Sequence, residues 1–334
     1  AAPAPPPPLL VEIPTYRVEV PLLAALPQQL RQGDLSMLGN LHQRVGDTPA
    51  TGRDELATRG AWARLVSSDA TLDQAGTVSP RSDGRRTGLQ VGTDLYALEQ
   101  VRAGIYVGQL DGDMSVRGFA RGLQGLPVGH SDLRSQYLGT YLTWRSEEGF
   151  YADAVLQAAR HRARLMANGG VGTAADGESL LASIEIGQSY ELGGGWMLEP
   201  QAQVIHGRMR LDEAVLSGAT TVRQDADSTW RLRLGARLHG RLETEWGTLK
   251  PYVRVNFHET LNRPADVARF VAPAGITAIT SEAGGASSEL AAGFNLDTAG
   301  PMSFYGELGR LWAGGGGARD ASSLQGSLGL RVRW

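Results

Sequence analysis

Hydrophobic and polar residues alternate with a period of two along most of this chain, and the clearest instance is its end. In Ser327-Leu-Gly-Leu-Arg-Val-Arg-Trp334, Leu328, Leu330, Val332 and Trp334 fall on one face of an extended strand, while Ser327, Gly329, Arg331 and Arg333 fall on the other. A strand that is apolar outside, arginine-lined inside and closed by an aromatic residue suits a wall between lipid and water. The pattern recurs upstream. Ala154, Leu156 and Ala158 oppose Asp153, Val155 and Gln157; Ala182, Ile184 and Ile186 oppose Ser183, Glu185 and Gly187. Trp230, Leu232, Leu234 and Leu238 oppose Arg231, Arg233, Arg237 and His239. Val253, Val255 and Phe257 oppose Arg254, Asn256 and His258, and Leu290 and Phe294 oppose Glu289 and Asn295. These segments, each about ten residues long, predict about twelve strands, an all-β transmembrane antiparallel barrel of the even-numbered bacterial outer-membrane kind.

The connections predict two different mouths. Short turns are expected near 97–100, 146–149, 191–195 and 297–301, and long polar stretches near 68–86, 112–133, 162–179, 208–228 and 260–286. A barrel whose mouths face different compartments shows this asymmetry. So many inward charges also exclude a dry soluble core. Ahead of the barrel, Leu30, Met37, Leu38, Leu41 and Val45 recur at three- and four-residue spacings and predict a helix, interrupted by Gly33 and Gly39. Tyr16-Arg-Val-Glu-Val20 reads as one short strand, and Ala1–Pro8 as a polyproline-type spacer.

Composition narrows the class. The chain has 334 residues, 42% hydrophobic and 20% charged, with net charge −3 and no cysteine. No apolar run reaches the length of a membrane-crossing helix. Near-neutral charge and the lack of a basic tract give no footprint for nucleic acid. Without cysteine there are no disulfides and no thiolate metal sites. The N-terminus lacks the charged and apolar regions of a signal peptide, so the chain is expected to be the C-terminal part of a longer precursor.

Tyr16-Arg-Val-Glu-Val-Pro21, Leu38-Gly-Asn-Leu-His-Gln-Arg-Val-Gly-Asp47, Gly60-Ala-Trp-Ala-Arg64, Leu198-Glu-Pro-Gln201 and the aromatic C-terminus resemble the autotransporters of type V secretion, in the style of the pertactin and serum-resistance type of Bordetella-like bacteria. The resemblance implies a division into a proline-rich linker (1–13), the end of a passenger (14–27), a linker helix in the barrel lumen (28–50) and a translocator barrel (55–334). It implies a unit of the Gram-negative outer membrane that anchors a passenger and helps export it to the cell surface. Arg31, Asp34, His42 and Arg44 of the helix would meet the charged lumen wall. That wall is expected to carry Asp153, Glu185, Gln203, Arg231, Arg233, Arg237, Arg254, Glu289, Glu307, Arg331 and Arg333.

Relatives that cut themselves use lumen acids at the positions of Asp153 and Glu185 to assist a helix asparagine, which attacks its own following peptide bond. Here Gly39 takes the attacking position, Asn40 comes one residue later, about 100° around a helix, and a third acid position is Gln203. The set Gly39, Asn40, Asp153 and Glu185 is therefore expected not to cleave the chain, with the acids pairing lumen arginines or capping helix groups. No enzyme activity and no cofactor are expected. The six histidines have no ligand spacing, and Gly314–Gly317 lacks the lysine and helix of a phosphate loop. Trp62, Trp144, Tyr151, Trp196, Trp246, Tyr252, Trp312 and Trp334 are expected in interfacial girdles.

Expected partners are the chain's own passenger, outer-membrane lipid and lipopolysaccharide, periplasmic chaperones, and a barrel-assembly machinery reading Leu328, Leu330, Val332 and Trp334; a monomer is expected. The alternative is a self-standing pore or adhesin barrel whose loops, above all 260–286, bind a host ligand. A signal peptide directly before Ala1 would favour that alternative; upstream β-helix repeats would favour the translocator.

Overall fold

Among the described residues (15–47, 58–169, 172–262, 265–315 and 318–334) of this computed structural model, twelve long antiparallel strands close into a barrel. The strands are β1 (Gly60–Asp73), β2 (Arg81–Ala97), β3 (Val101–Ala120), β4 (Leu123–Arg145), β5 (Phe150–Ala167) and β6 (Gly172–Gln188). They continue with β7 (Trp196–Leu211), β8 (Thr229–Gly240), β9 (Gly247–Thr260), β10 (Ser287–Thr298), β11 (Met302–Ala313) and β12 (Arg319–Arg333). Each strand pairs with its sequence neighbours, and β12 returns to β1 with Leu328 opposite Leu65 and Trp334 N–H donating to the Arg59 carbonyl. The expected barrel and strand number are what the chain forms. Closure leaves no sheet edge to meet lipid.

The period of two sets the faces. On β5, Asp153, Val155, Gln157 and His161 are buried inside, and Leu156, Ala158 and Arg160 are exposed outside. Inward glycines recur because aromatic rings lie flat over them. A Cβ on Gly139 would sit 2.1 Å from the Tyr106 ring, and one on Gly187 2.4 Å from Tyr151. The ring covers backbone that a side chain would otherwise shield.

Several expectations are corrected. Stretches 112–133 and 162–179 are mostly strand: β3 and β4 are joined by Arg121-Gly122 alone, both at positive φ (52° and 75°). Above the apolar band the outward face turns polar and the apolar residues, such as Met114, Val116, Leu133 and Leu165, point inward, so the sequence looks like loop while the hydrogen-bond ladder continues. The stretches 208–228 and 260–286 fold into a second sheet over the long-loop mouth, ordered Ala214–Leu216, Thr220–Asp225, Ala265–Ala272, Gly275–Glu282 and Ala75–Gly76. Trp62, Tyr151 and Tyr252 are not in the girdles: they are buried, in phase with the inward Arg64, Asp153 and Arg254. Trp144, Trp196, Trp246, Trp312 and Trp334 are exposed as expected of girdle residues, and Trp230 joins them.

The helical segment starts earlier than the spacing indicates. α1 spans Glu19–Leu38 and α2 spans Leu41–Val45, so Val18–Val20 is not strand and 19–27 belongs to the helix within the barrel. Five residues of alternation are weak evidence, and Pro21 fits a first helical turn, where its missing N–H has no partner to lose. Twenty residues at 1.5 Å rise give about 30 Å, enough to thread the barrel. The N-terminal half is apolar: Leu22, Leu23 and Leu26 pack with Val222, Phe270 and Ile279 of the second sheet and with Met114, Leu133 and Leu165 of the wall. Full burial of each such leucine contributes about 1.5–3 kcal/mol. The C-terminal half turns polar and bonds the wall.

Pro27 lies inside α1 and cannot donate to the Leu23 carbonyl. The second sheet repairs the gap. Gln224 Nε2 donates to Leu23 O at 3.3 Å, and Gln74 Nε2 and Ser281 Oγ donate to Ala24 O at 3.3 and 3.0 Å.

Candidate functional site

The helix and the wall meet through polar groups that are nearly all buried. At the start of α1, Arg17 donates to Glu19 at 2.7 Å and to the Ser217 carbonyl at 3.0 Å. Burial pushes the Glu19 carboxyl up, but the Arg17 hydrogen bond, a backbone hydrogen bond and the charges of Arg17 and Arg121 together outweigh it and hold Glu19 below its ordinary value. Directly after Pro27 and one turn further on, Gln28 and Gln32 both donate to Asp320 of β12, at 2.9 and 2.6 Å. Gln29 donates to Ser82 at 2.8 Å, and Arg31 holds Asp266 of the second sheet with two 2.5 Å contacts.

The carbonyls that end α1 would be orphaned without the wall. Arg64 Nη2 and Gln90 Nε2 donate to Met37 O at 2.8 and 2.7 Å, and Gln203 Nε2 donates to Gly39 O at 3.2 Å. The cation also faces the negative end of the helix dipole. Gly39 then breaks the helix with φ 59° and ψ −157°, a conformation open to glycine. Asn40 begins α2 as its N-cap: its Oδ1 accepts from Gln43 N at 2.8 Å, and Gln43 Oε1 accepts from Asn40 N at 3.1 Å. The rotation expected between Gly39 and Asn40 on one helix therefore does not apply, because neither residue is helical.

Glu185 of β6 accepts the next free donor, Leu41 N–H, at 3.1 Å, together with the Tyr151 hydroxyl at 2.8 Å, and lies 3.0 Å from Arg233 Nη2. Arg44 Nη2 donates to both oxygens of Asp153 at 2.8 Å, with Thr143 adding a 2.5 Å hydrogen bond. His42 sits between Glu199 (2.8 Å) and Asp47 (2.7 Å), and Asp47 takes Arg237 at 2.6 Å. On the opposite wall Gln43 reaches Glu307 at 2.8 Å, which shares Arg254 with Glu289. Arg331 and Arg102 both face Asp94, Arg231 donates to Ser287 at 3.4 Å, and Arg333 is half-buried near the short-turn rim.

Ten of the eleven residues expected on the lumen wall are buried inside the barrel, and Asp153, Glu185, Gln203, Arg237 and Glu307 touch the helical segment itself or its flank. Arg64, Gln90, Asp94, Glu199 and Asp320 were not singled out. They occupy inward positions of the same alternation: Arg64, Gln90, Glu199 and Asp320 gain partners from the threaded helix, whereas Asp94 is held by Arg102, Arg331 and Tyr141 of the wall. What space remains beside the α1–α2 junction is a cavity of about 150 Å³, bordered by Arg64, Arg86, Arg231 and Arg254. At about 30 Å³ per water it holds a few solvent molecules and no polypeptide.

Comparison with known proteins agrees with this geometry. A family model described as the autotransporter beta-domain matches residues 61–309. The Adhesin BmaC autotransporter of Brucella suis biovar 1 is 31% identical over 258 residues, 70% of this chain and 7% of that protein. The pertactin autotransporter of Bordetella bronchiseptica is 31% identical over 202 residues, 59% of this chain and 21% of that protein. The chain therefore spans well under a quarter of the length of these relatives. Among solved structures, the transport unit of the autotransporter AIDA-I from Escherichia coli superposes with TM-score 0.72 at 15% identity, covering 96% of this chain and 100% of that one. The translocator domain of the autotransporter NalP from Neisseria meningitidis gives 0.65 at 12% identity, covering 94% and 97%. At these identities the likeness is one of fold.

Proposed function

The chain belongs to the autotransporter family and is an outer-membrane translocator unit of a Gram-negative bacterium, and from that premise we propose how it holds its passenger and what closes it. The single observation behind the reading is the threaded helix. Its N-terminal end leaves at the long-loop mouth beside Ser217, and its C-terminal end is tied by Arg237 to Asp47 near the short turns. A passenger joined ahead of residue 15 would stand outside the cell, with α1 as its tether and as the plug of the barrel it came through.

The barrel acts as anchor and conduit, and it has no catalytic role. Asn40 uses its carboxamide oxygen to cap α2, Asp153 is taken by Arg44, and Gln203 stands at the third acid position. The passenger stays joined unless an outside protease cuts it. Periplasmic chaperones deliver the chain, and a barrel-assembly machinery reads the outward Leu328, Leu330, Val332 and Trp334 as β12 zips to β1. Lipopolysaccharide then surrounds the upper wall. The test places an epitope ahead of Thr15 in the full precursor. Labelling on intact cells supports the reading; labelling only after the outer membrane is permeabilised overturns it.

A further inference from the structure

On β4 to β7 the outward apolar rows Leu142–Ala154–Ile184–Val204 and Leu138–Ala158–Leu180 give way abruptly to arginine. Arg208 stands at the end of the second row, opposite Leu180; the next row carries Gln136, Arg160, Glu178 and Arg210, and the one above it Arg134, Arg162 and Asp176. Arg160 lies ten residues beyond Phe150 and Arg208 twelve beyond Trp196. At about 3.3 Å rise and about 40° tilt, this is about 25–30 Å above the short-turn rim, where an apolar band about 25 Å tall ends. The stacked His206–Trp230 pair, with ring centroids 4.3 Å apart, marks the same outer boundary just below Arg208.

These guanidinium groups are not satisfied by the protein. Among the described residues none of Arg160, Arg162, Arg208 and Arg210 has a carboxylate within ion-pair distance, although Glu178 lies in register between Arg160 and Arg210. Arg134 donates to Asp111 at 2.8 Å but also sits directly opposite Arg162, a like-charge pair that is unfavourable without an anion between. The rows border a surface groove of about 810 Å³ whose floor is Leu138, Ala158 and Leu180. An apolar floor continuous with the lipid band, roofed by unpaired arginines, matches a molecule with acyl chains below and phosphates above.

The geometry points to a site for a phosphorylated glycolipid of the outer leaflet, held by Arg160, Arg208 and Arg210 with its acyl chains along β4–β6. This rests on the outer-membrane reading and goes beyond it by naming the ligand chemistry and the wall. It would fix which side of the barrel carries a bound lipid as the strands enter the membrane. The site is tested by native mass spectrometry of the folded chain in detergent with bis-phosphorylated lipid A, dephosphorylated lipid A, and excess inorganic phosphate as competitor. The wild type should prefer the phosphorylated lipid by about tenfold. That preference should vanish in Arg160→Gln/Arg208→Gln/Arg210→Gln and persist in Arg310→Gln, an exposed arginine over Trp312 on β11. Equal retention by the triple variant, loss in Arg310→Gln, or displacement by phosphate alone overturns the lipid site. Heat-dependent gel mobility and insertion into vesicles are read in parallel. A chain that fails these refutes the barrel reading, whereas a folded barrel without lipid preference refutes only the site.

Discussion

Arg44 on α2 and Asp153 on β5 meet through a single nitrogen, Nη2, 2.8 Å from both carboxylate oxygens, with both side chains at most 2% exposed. The pair ties the helical segment to the wall at a depth where neither charge has water. Either residue alone would be a charge stranded in the lumen. Removing one partner of such a pair costs about 3–5 kcal/mol, whereas apolar replacement of both is often near neutral. Arg44→Gln and Asp153→Leu should each lower the thermal unfolding midpoint of the purified barrel clearly, and Arg44→Met/Asp153→Leu should recover much of it. Additive losses in the double variant would show that the two groups are not coupled.

The plug should be visible electrically. With α1 and α2 in place, only about 150 Å³ is open beside their junction, so single-channel conductance in a planar bilayer should be small. Deleting residues 1–47 should raise it severalfold and lower thermal stability, because Asp320, Glu185 and Arg237 lose their helix partners. Equal conductance of the two chains would place the helix outside the pore in the membrane.

Pro27 and Gln224 form a testable pair. Gln224→Ala leaves the buried Leu23 carbonyl without a donor and should cost about 1–3 kcal/mol. In a Pro27→Ala background the restored backbone N–H takes that carbonyl, so the same change should cost much less. A double-mutant cycle on urea unfolding reads the difference, and identical costs in the two backgrounds would refute the repair.

The chain should stay in one piece. A mass spectrum of the barrel purified from protease-deficient cells should show no N-terminus at Asn40 or Leu41. Asn40→Ala should cost about 1 kcal/mol through the lost cap and leave the mass pattern otherwise unchanged. A Leu41 N-terminus abolished by Asp153→Asn would instead make this a self-processing protein. Gly39→Asn should not create cleavage: its φ of 59° with ψ −157° strains any side chain, and a Cβ there would lie 2.8 Å from Arg64 Nη1.

Assembly should depend on the last residue. Trp334 is exposed at the short-turn rim, and its N–H closes β12 onto Arg59. Trp334→Asp places a charge at the membrane interface and should sharply reduce the heat-modifiable barrel in outer-membrane fractions. Undiminished surface display of the passenger would count against a terminal assembly signal.

The strands, their faces and the closed wall were legible in the sequence, because in a membrane barrel the side-chain period of two must match lipid on one side and water on the other along every strand. Leu156 outward and Asp153 inward follow from parity alone. The start of α1 was not legible. Pro27 looks like a helix breaker until the barrel supplies Gln224 to the freed Leu23 carbonyl and adds Gln74 and Ser281 at the neighbouring Ala24 carbonyl. Nor could parity say that Trp62 packs against Tyr106 and Tyr141, because it gives the face of a residue and not what lies across the lumen. The same holds for the site: alternation placed Asp153 and Glu185 on the inner wall and the family resemblance pointed to Gln203, but their partners Arg44, Leu41 N–H and Gly39 O lie between 109 and 164 residues away. Sequence fixes local period; only closure of the barrel around its own helix decides which buried charges meet, since each contact depends on the stagger of all twelve strands at once.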